Sequence, residues 1–135
     1  MKRILGFVFL LFSLAVAHPI PQAQIRTADG TYYLLEPREL KAHLANKDFF
    51  LVNVHIPYEG EIAATDALIA FDTISSAKNL PKNKKAEIVI YCRSGRMSEI
   101  AAKQLVKMGY SNVRELKGGF NAWVANGYQL IQKQR

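Results

Sequence analysis

The sequence predicts one α/β domain over residues 31–135, with a mainly parallel sheet and helices on both faces. Three observations carry this expectation. The runs Phe49–Val54 and Glu87–Tyr91 are apolar at most positions, the pattern of strands buried on both faces of a parallel sheet. Stretches with helical spacing follow at Met97–Met108 and from Phe120 onward. Strands alternating with helices in this way wind a parallel sheet between two helical layers. Half of the residues are apolar and 21% are charged, which suits a single domain with a real core.

Residues 1–17 stand apart. Lys2 and Arg3 form a positive start, Ile4–Leu14 is nearly all apolar, and Ala15-Val16-Ala17 is an A-x-A cleavage pattern. This reads as a signal peptide, too short in its apolar part for a membrane span of about 20 residues. The mature chain would begin at His18, be exported to a periplasmic or secreted location, and keep no stable membrane span. It retains 16 of the 18 basic residues and all 11 acidic ones, so the formal charge falls from +7 to +5. The densest basic run, Lys82-Asn83-Lys84-Lys85, reads as a solvated loop rather than a nucleic-acid patch. Mild positive charge suits the attraction of small anions.

In chain order, His18–Gly30 holds two prolines and reads as a flexible lead-in. Thr31–Leu35 is a short edge strand. Pro37 opens a helix to about Ala45, with His43 on its surface. Phe49–Val54 is the first central strand. Asp72 is placed to cap a short helix through Ile74 and Ala77 that stops near Pro81. Glu87–Tyr91, the second central strand, ends at Cys92. After the loop Arg93–Arg96, Met97–Met108 is a helix closed by Gly109, with Glu99 and Lys103 in the favourable i,i+4 order. Asn112–Leu116 is the next strand and Gly118-Gly119 a turn. Phe120 and Trp123 share the inner face of a last helix ending at Gly127, as core anchors. Tyr128–Ile131 adds a short strand or tail.

The chemistry gathers at Cys92, the only cysteine. It lies between a strand end and a helix start, where unpaired amides point at the sulfur. Those amides and the charges of Arg93 and Arg96 favour the thiolate. Gly95 lets the loop bend tightly and bring bare backbone close to a bound group. The bland alternative is a buried structural cysteine. A lone thiol in an exported chain has no internal disulfide partner, which favours a used sulfur. One Cys and three scattered His (His18, His43, His55) lack metal-ligand spacing, so neither metal nor cofactor is expected.

Cys92-Arg93-Ser94-Gly95-Arg96-Met97-Ser98, together with Leu116-Lys117-Gly118-Gly119-Phe120-Asn121-Ala122-Trp123 and Gly127-Tyr128, resembles the rhodanese domain, a sulfurtransferase family. The resemblance covers about residues 31–131. It implies a single rhodanese-like domain with Cys92 as the catalytic residue and Arg93, Ser94, Gly95, Arg96, Met97 and Ser98 as the substrate-binding loop. The sequence departs from the family at two places. Asn53-Val54-His55 stands where Asp-Val-Arg is usual, and Gly60-Glu61-Ile62 where Gly-His-Ile is usual. His55 and Glu59 are candidate rim residues, and Glu61 reads as an exposed loop residue.

The resemblance implies a thiosulfate sulfurtransferase-like enzyme. Sulfane sulfur would pass from a small anionic donor, thiosulfate or a persulfide, through a Cys92 persulfide to a thiol or to cyanide. A redox or sulfur-relay protein is a further partner of the expected kind; nucleic acid is not. One alternative is a carrier or sensor that holds persulfide without turnover. Another is a cysteine phosphatase or arsenate reductase, which needs an arginine six positions after the cysteine. Ser98 occupies that position here. Many rhodanese loops also carry an arginine at the fifth position, where this chain has Met97.

Overall fold

The computed structural model describes residues 22–134. Six strands form one sheet: β1 (Gln24–Thr27), β2 (Gly30–Leu35), β3 (Phe50–Asn53), β4 (Ala67–Leu68), β5 (Ile88–Tyr91) and β6 (Val113–Leu116), in the order β1-β2-β6-β5-β3-β4. Only the β1–β2 pair is antiparallel; the other four pairings are parallel. Helix α2 (Arg96–Lys107) covers one face, while α1 (Pro37–His43) and α3 (Gly119–Ala125) cover the other. The mainly parallel α/β architecture is therefore the expected one. The proposed signal peptide, residues 1–17, lies outside the described residues.

Two apolar cores sandwich the sheet. Ala101, Ala102, Leu105 and Val106 of α2 pack on Val52, Ile88, Ile90 and Val113. Leu40 of α1 and Phe120 and Trp123 of α3 pack on Leu51, Val89, Tyr91 and Leu116. Alternate residues of β3 and β5 thus enter opposite cores, which explains their unbroken apolar runs. Trp123 is the core anchor expected, and its Nε1–H donates to the Gln129 carbonyl. His43 is exposed, as expected of a surface residue.

Three expectations need correction. The supposed lead-in contains β1, which forms a hairpin with β2; the Thr27 side chain accepts from the Asp29 amide and donates to the Gly30 carbonyl across the turn. Its alternation of exposed and half-buried residues marks an edge strand, too weakly apolar to register as one. The helix after Asp72 is only a 3-10 turn, Ile74–Ser76, flanked by Thr73, and Asp72 makes no cap. A single buried residue, Ile74, pins it. Glu61 is fully buried rather than exposed.

Candidate active site

The site lies beyond the carboxyl ends of β3 and β5, where open α/β sheets bind ligands. β5 ends at Tyr91, and Cys92 follows it, buried in the turn. The Gly95 amide donates to Cys92 Sγ at 3.0 Å. Gly95 can aim that N–H because its backbone is left-handed (φ 117°) as it enters α2. An N–H aimed at sulfur stabilises the thiolate, since a charged acceptor makes the stronger hydrogen bond.

The loop is held from outside by the start of α3. The Phe120 and Asn121 amides donate to the carbonyls of Cys92 (2.9 Å) and Arg93 (3.0 Å). These donors belong to the first helical turn, whose N–H groups have no partner within the helix. Such a close approach leaves no room for a side chain at Gly119, where an added Cβ would stand 2.4 Å from the Cys92 oxygen. The Gly118-Gly119 turn thus positions the cysteine loop rather than merely reversing the chain.

Behind the loop lies a polar pair inside the apolar layer. Ser98, in the first turn of α2, is buried with its Oγ 3.4 Å from Cys92 Sγ and 2.6 Å from Glu115 Oε1. It also lies 3.1 Å from the Gly95 carbonyl. Glu115 is a buried residue of β6. Burial pushes its pKa up to about 7, the Ser98 hydrogen bond opposes this, Glu99 adds to it and Lys103 opposes it. Sequence reasoning missed Glu115. The available signal was a glutamate on the same strand face as Val113, beneath the cysteine loop.

The front wall is more charged. Arg93 Nη1 lies 3.3 Å from Glu59 Oε2, and His55 Nε2 lies 3.2 Å from the same oxygen. His55 is buried, its ring edge-on to Phe120 at 5.6 Å. It therefore backs the rim rather than forming it; Glu59 and Arg93 are the exposed rim groups. Asn53 accepts from the His55 amide and donates to the Gly60 carbonyl, so it shapes the 54–60 segment. An aspartate could not make the second of these bonds. Glu61 clasps the chain end: Tyr58 donates to it, Lys133 pairs with it at 3.3 Å, and its backbone bridges Ile131.

Of the other loop residues, Ser94 and Arg96 are exposed, and Met97 packs partly into the core under α2. No ion pair of Arg96 is found among the described residues, unlike that of Arg93. Cys92, Gly95 and Ser98 therefore meet at the sulfur, and the two arginines flank it at the surface.

A family model described as Rhodanese-like domain matches residues 36–126. A sulfurtransferase from Allochromatium vinosum is 32% identical over 108 residues, covering 72% of this chain and 92% of that protein. An adenylyltransferase and sulfurtransferase from Meyerozyma guilliermondii is 34% identical over 78 residues, covering 58% of this chain but 17% of that longer protein. Among solved structures, a rhodanese-like domain protein from Staphylococcus aureus is 29% identical with a TM-score of 0.63, covering 75% of this chain and 98% of that one.

Proposed function

The chain belongs to the rhodanese-like domain family, and from that premise we propose that it is an exported, thiosulfate sulfurtransferase-like enzyme. The observation that carries this reading is the Gly95 N–H aimed at Cys92 Sγ at 3.0 Å, at a strand end. The Cys92 thiolate attacks the outer sulfur of thiosulfate, the S–S bond breaks, and sulfite leaves with its electron pair. The acceptor then attacks the outer sulfur of the Cys92 persulfide. A thiol leaves as its persulfide, or cyanide as thiocyanate, and the Cys92 thiolate is regenerated. Loop amides stabilise the anionic sulfur. Arg96 orients the donor, while Arg93, already paired with Glu59, lends a partly offset charge.

One feature favours sulfur over a phosphate-type oxyanion. The sixth position after the cysteine is Ser98, whose hydroxyl is turned inward to Glu115 rather than toward a ligand. A persulfide carrier remains a variant of the same chemistry, separated by turnover.

Intact mass of the mature protein after thiosulfate treatment is expected to rise by one sulfur atom, removable with dithiothreitol. An unchanged mass retires the thiosulfate reading, and loading without repeated turnover makes the protein a carrier. Arg96→Ala is expected to slow loading about ten- to a hundredfold, the equivalent of one charge-assisted contact of about 1.5–3 kcal/mol. Transfer from the loaded persulfide to cyanide should change far less, and an equal fall in both steps would refute the assignment of Arg96. Export is tested by N-terminal sequencing of the native protein, expected to begin at His18; an intact Met1 would overturn it.

A further inference from the structure

Sulfur transfer through Cys92 leaves the buried carboxyl behind its loop without a role. Glu115 sits within the apolar layer under α2, reached by the Ser98 hydroxyl at 2.6 Å, and that hydroxyl also lies 3.4 Å from the sulfur. We infer that Glu115 stores the proton that Cys92 gives up, receiving it through the Ser98 hydroxyl. This deepens the sulfurtransferase reading and rests on Cys92 being its nucleophile.

The hydroxyl has one hydrogen, so the chain of three groups can point either way. In one direction Cys92 Sγ–H donates to Ser98 Oγ, whose O–H donates to an ionised Glu115. In the other, a protonated Glu115 donates to Ser98 Oγ, whose O–H donates to the thiolate. Passing from the first to the second breaks the Sγ–H bond and the original Oγ–H bond. It forms a new Oγ–H bond and an Oε1–H bond. One proton leaves the sulfur, one arrives on the carboxyl, and the pair keeps a single negative charge throughout.

That constancy of charge is the physical reason for the arrangement. A thiolate beside an ionised Glu115 would put two like charges in one buried site, which each disfavours in the other. A thiolate beside a neutral Glu115 does not. Burial holds the carboxyl's pKa at about 7, near enough to neutrality for it to take or release a proton. The other titratable groups facing it are Glu99 and Lys103 on α2, paired with each other at 2.8 Å, and Tyr32 on β2. Tyr32 is itself pushed up to about 12, first by burial and then by Glu115, so it stays neutral and does not compete for the proton. Glu115 is a positioning residue for that proton, since it acts through Ser98.

Alkylation of Cys92 by iodoacetamide, followed from about pH 5 to about pH 10, reads the thiolate without any sulfur donor. Its outcome is therefore separable from failure of the loading assay. The wild-type rate is expected to rise in two steps, because two coupled groups share the titration. E115Q should lose the lower step and rise only once, whereas S98A, which keeps both acids but not the bridge, should rise in two steps with the lower one moved to higher pH. A single step in all three proteins overturns the relay. A lower step at the same pH in S98A as in the wild type also overturns it, since the pair would then share its proton without the hydroxyl. E115Q is expected to stay folded. Glu115 binds its proton more tightly in the folded state, so wild-type stability falls as pH rises from about 4.5 to about 7, and E115Q lacks that loss. Should E115Q fail to fold, ¹³C NMR of Glu115 in the wild type decides. Its titration should change from two steps to one when Cys92 is alkylated, and an unchanged curve overturns the inference.

Discussion

Replacing Gly119 with alanine is expected to unseat the cysteine loop and to abolish sulfur loading together with much of the stability. The added Cβ would lie 2.4 Å from the Cys92 oxygen and 2.5 Å from the Arg93 carbonyl carbon and oxygen, all of them backbone atoms. Backbone cannot swing aside as a flexible side chain can. Relief would require α3 to withdraw, breaking the bonds from the Phe120 and Asn121 amides to those carbonyls. Gly119 also has φ +60°, a left-handed conformation that costs a non-glycine residue about 1–2 kcal/mol. Strain and the lost bonds together place the expected destabilisation at about 4 kcal/mol, in the range reserved for such local mechanisms. For a domain of this size that lowers the thermal midpoint by more than about 10 °C. Gly109→Ala supplies the comparison, because Gly109 also has positive φ but nothing within 4 Å of an added Cβ. It should lose only the conformational part. Equal midpoints for the two variants would show that the close approach at Gly119 is not what the turn is for.

The contrast between those two glycines marks what a sequence carries and what it hides. Gly109 was legible because a helix end asks for a left-handed residue, a local rule. The turn at Gly118-Gly119 was legible too, but its contact with the Cys92 carbonyl joins segments far apart in the chain and has no local sign. The same division runs through the site. Cys92, Gly95 and the start of α2 follow from one strand-loop-helix stretch, and the structure brings them together with Ser98 at the sulfur. Glu115 comes from the neighbouring strand, so only the parallel pairing of β5 with β6, with Ile90 opposite Glu115, puts it behind the loop. Glu61 misled for a related reason. Polar residues near Pro57 and Gly60 suggest an exposed loop, yet the chain end returns over them and buries the carboxylate against Tyr58 and Lys133. β1 escaped notice because an edge strand with one half-buried face lacks the apolar run that betrays β3 and β5.

Cys92→Ser separates the chemistry from the scaffold more sharply than any other change. The sulfur sits in a buried polar setting, accepting from the Gly95 amide at 3.0 Å and lying 3.4 Å from the Ser98 hydroxyl. A serine oxygen can accept from the same amide and exchange a hydrogen bond with the same hydroxyl. It leaves no cavity of consequence, so unfolding free energy should change by no more than about 1 kcal/mol, the worth of one ordinary hydrogen bond. The chemistry has no such tolerance. Covalent transfer needs an atom that attacks sulfane sulfur and then leaves as a stable anion, and a hydroxyl does neither near neutral pH. The variant is therefore expected to gain no sulfur by mass after thiosulfate treatment and to form no thiocyanate, while its unfolding midpoint matches the wild type. Transfer surviving in Cys92→Ser would move the reaction elsewhere and end the sulfurtransferase reading at this site. A variant that unfolds would instead make Cys92 a structural cysteine. Loss of transfer on an intact fold leaves the thiolate as the group on which the reaction depends, with Gly95, Ser98 and Glu115 arranged around its charge.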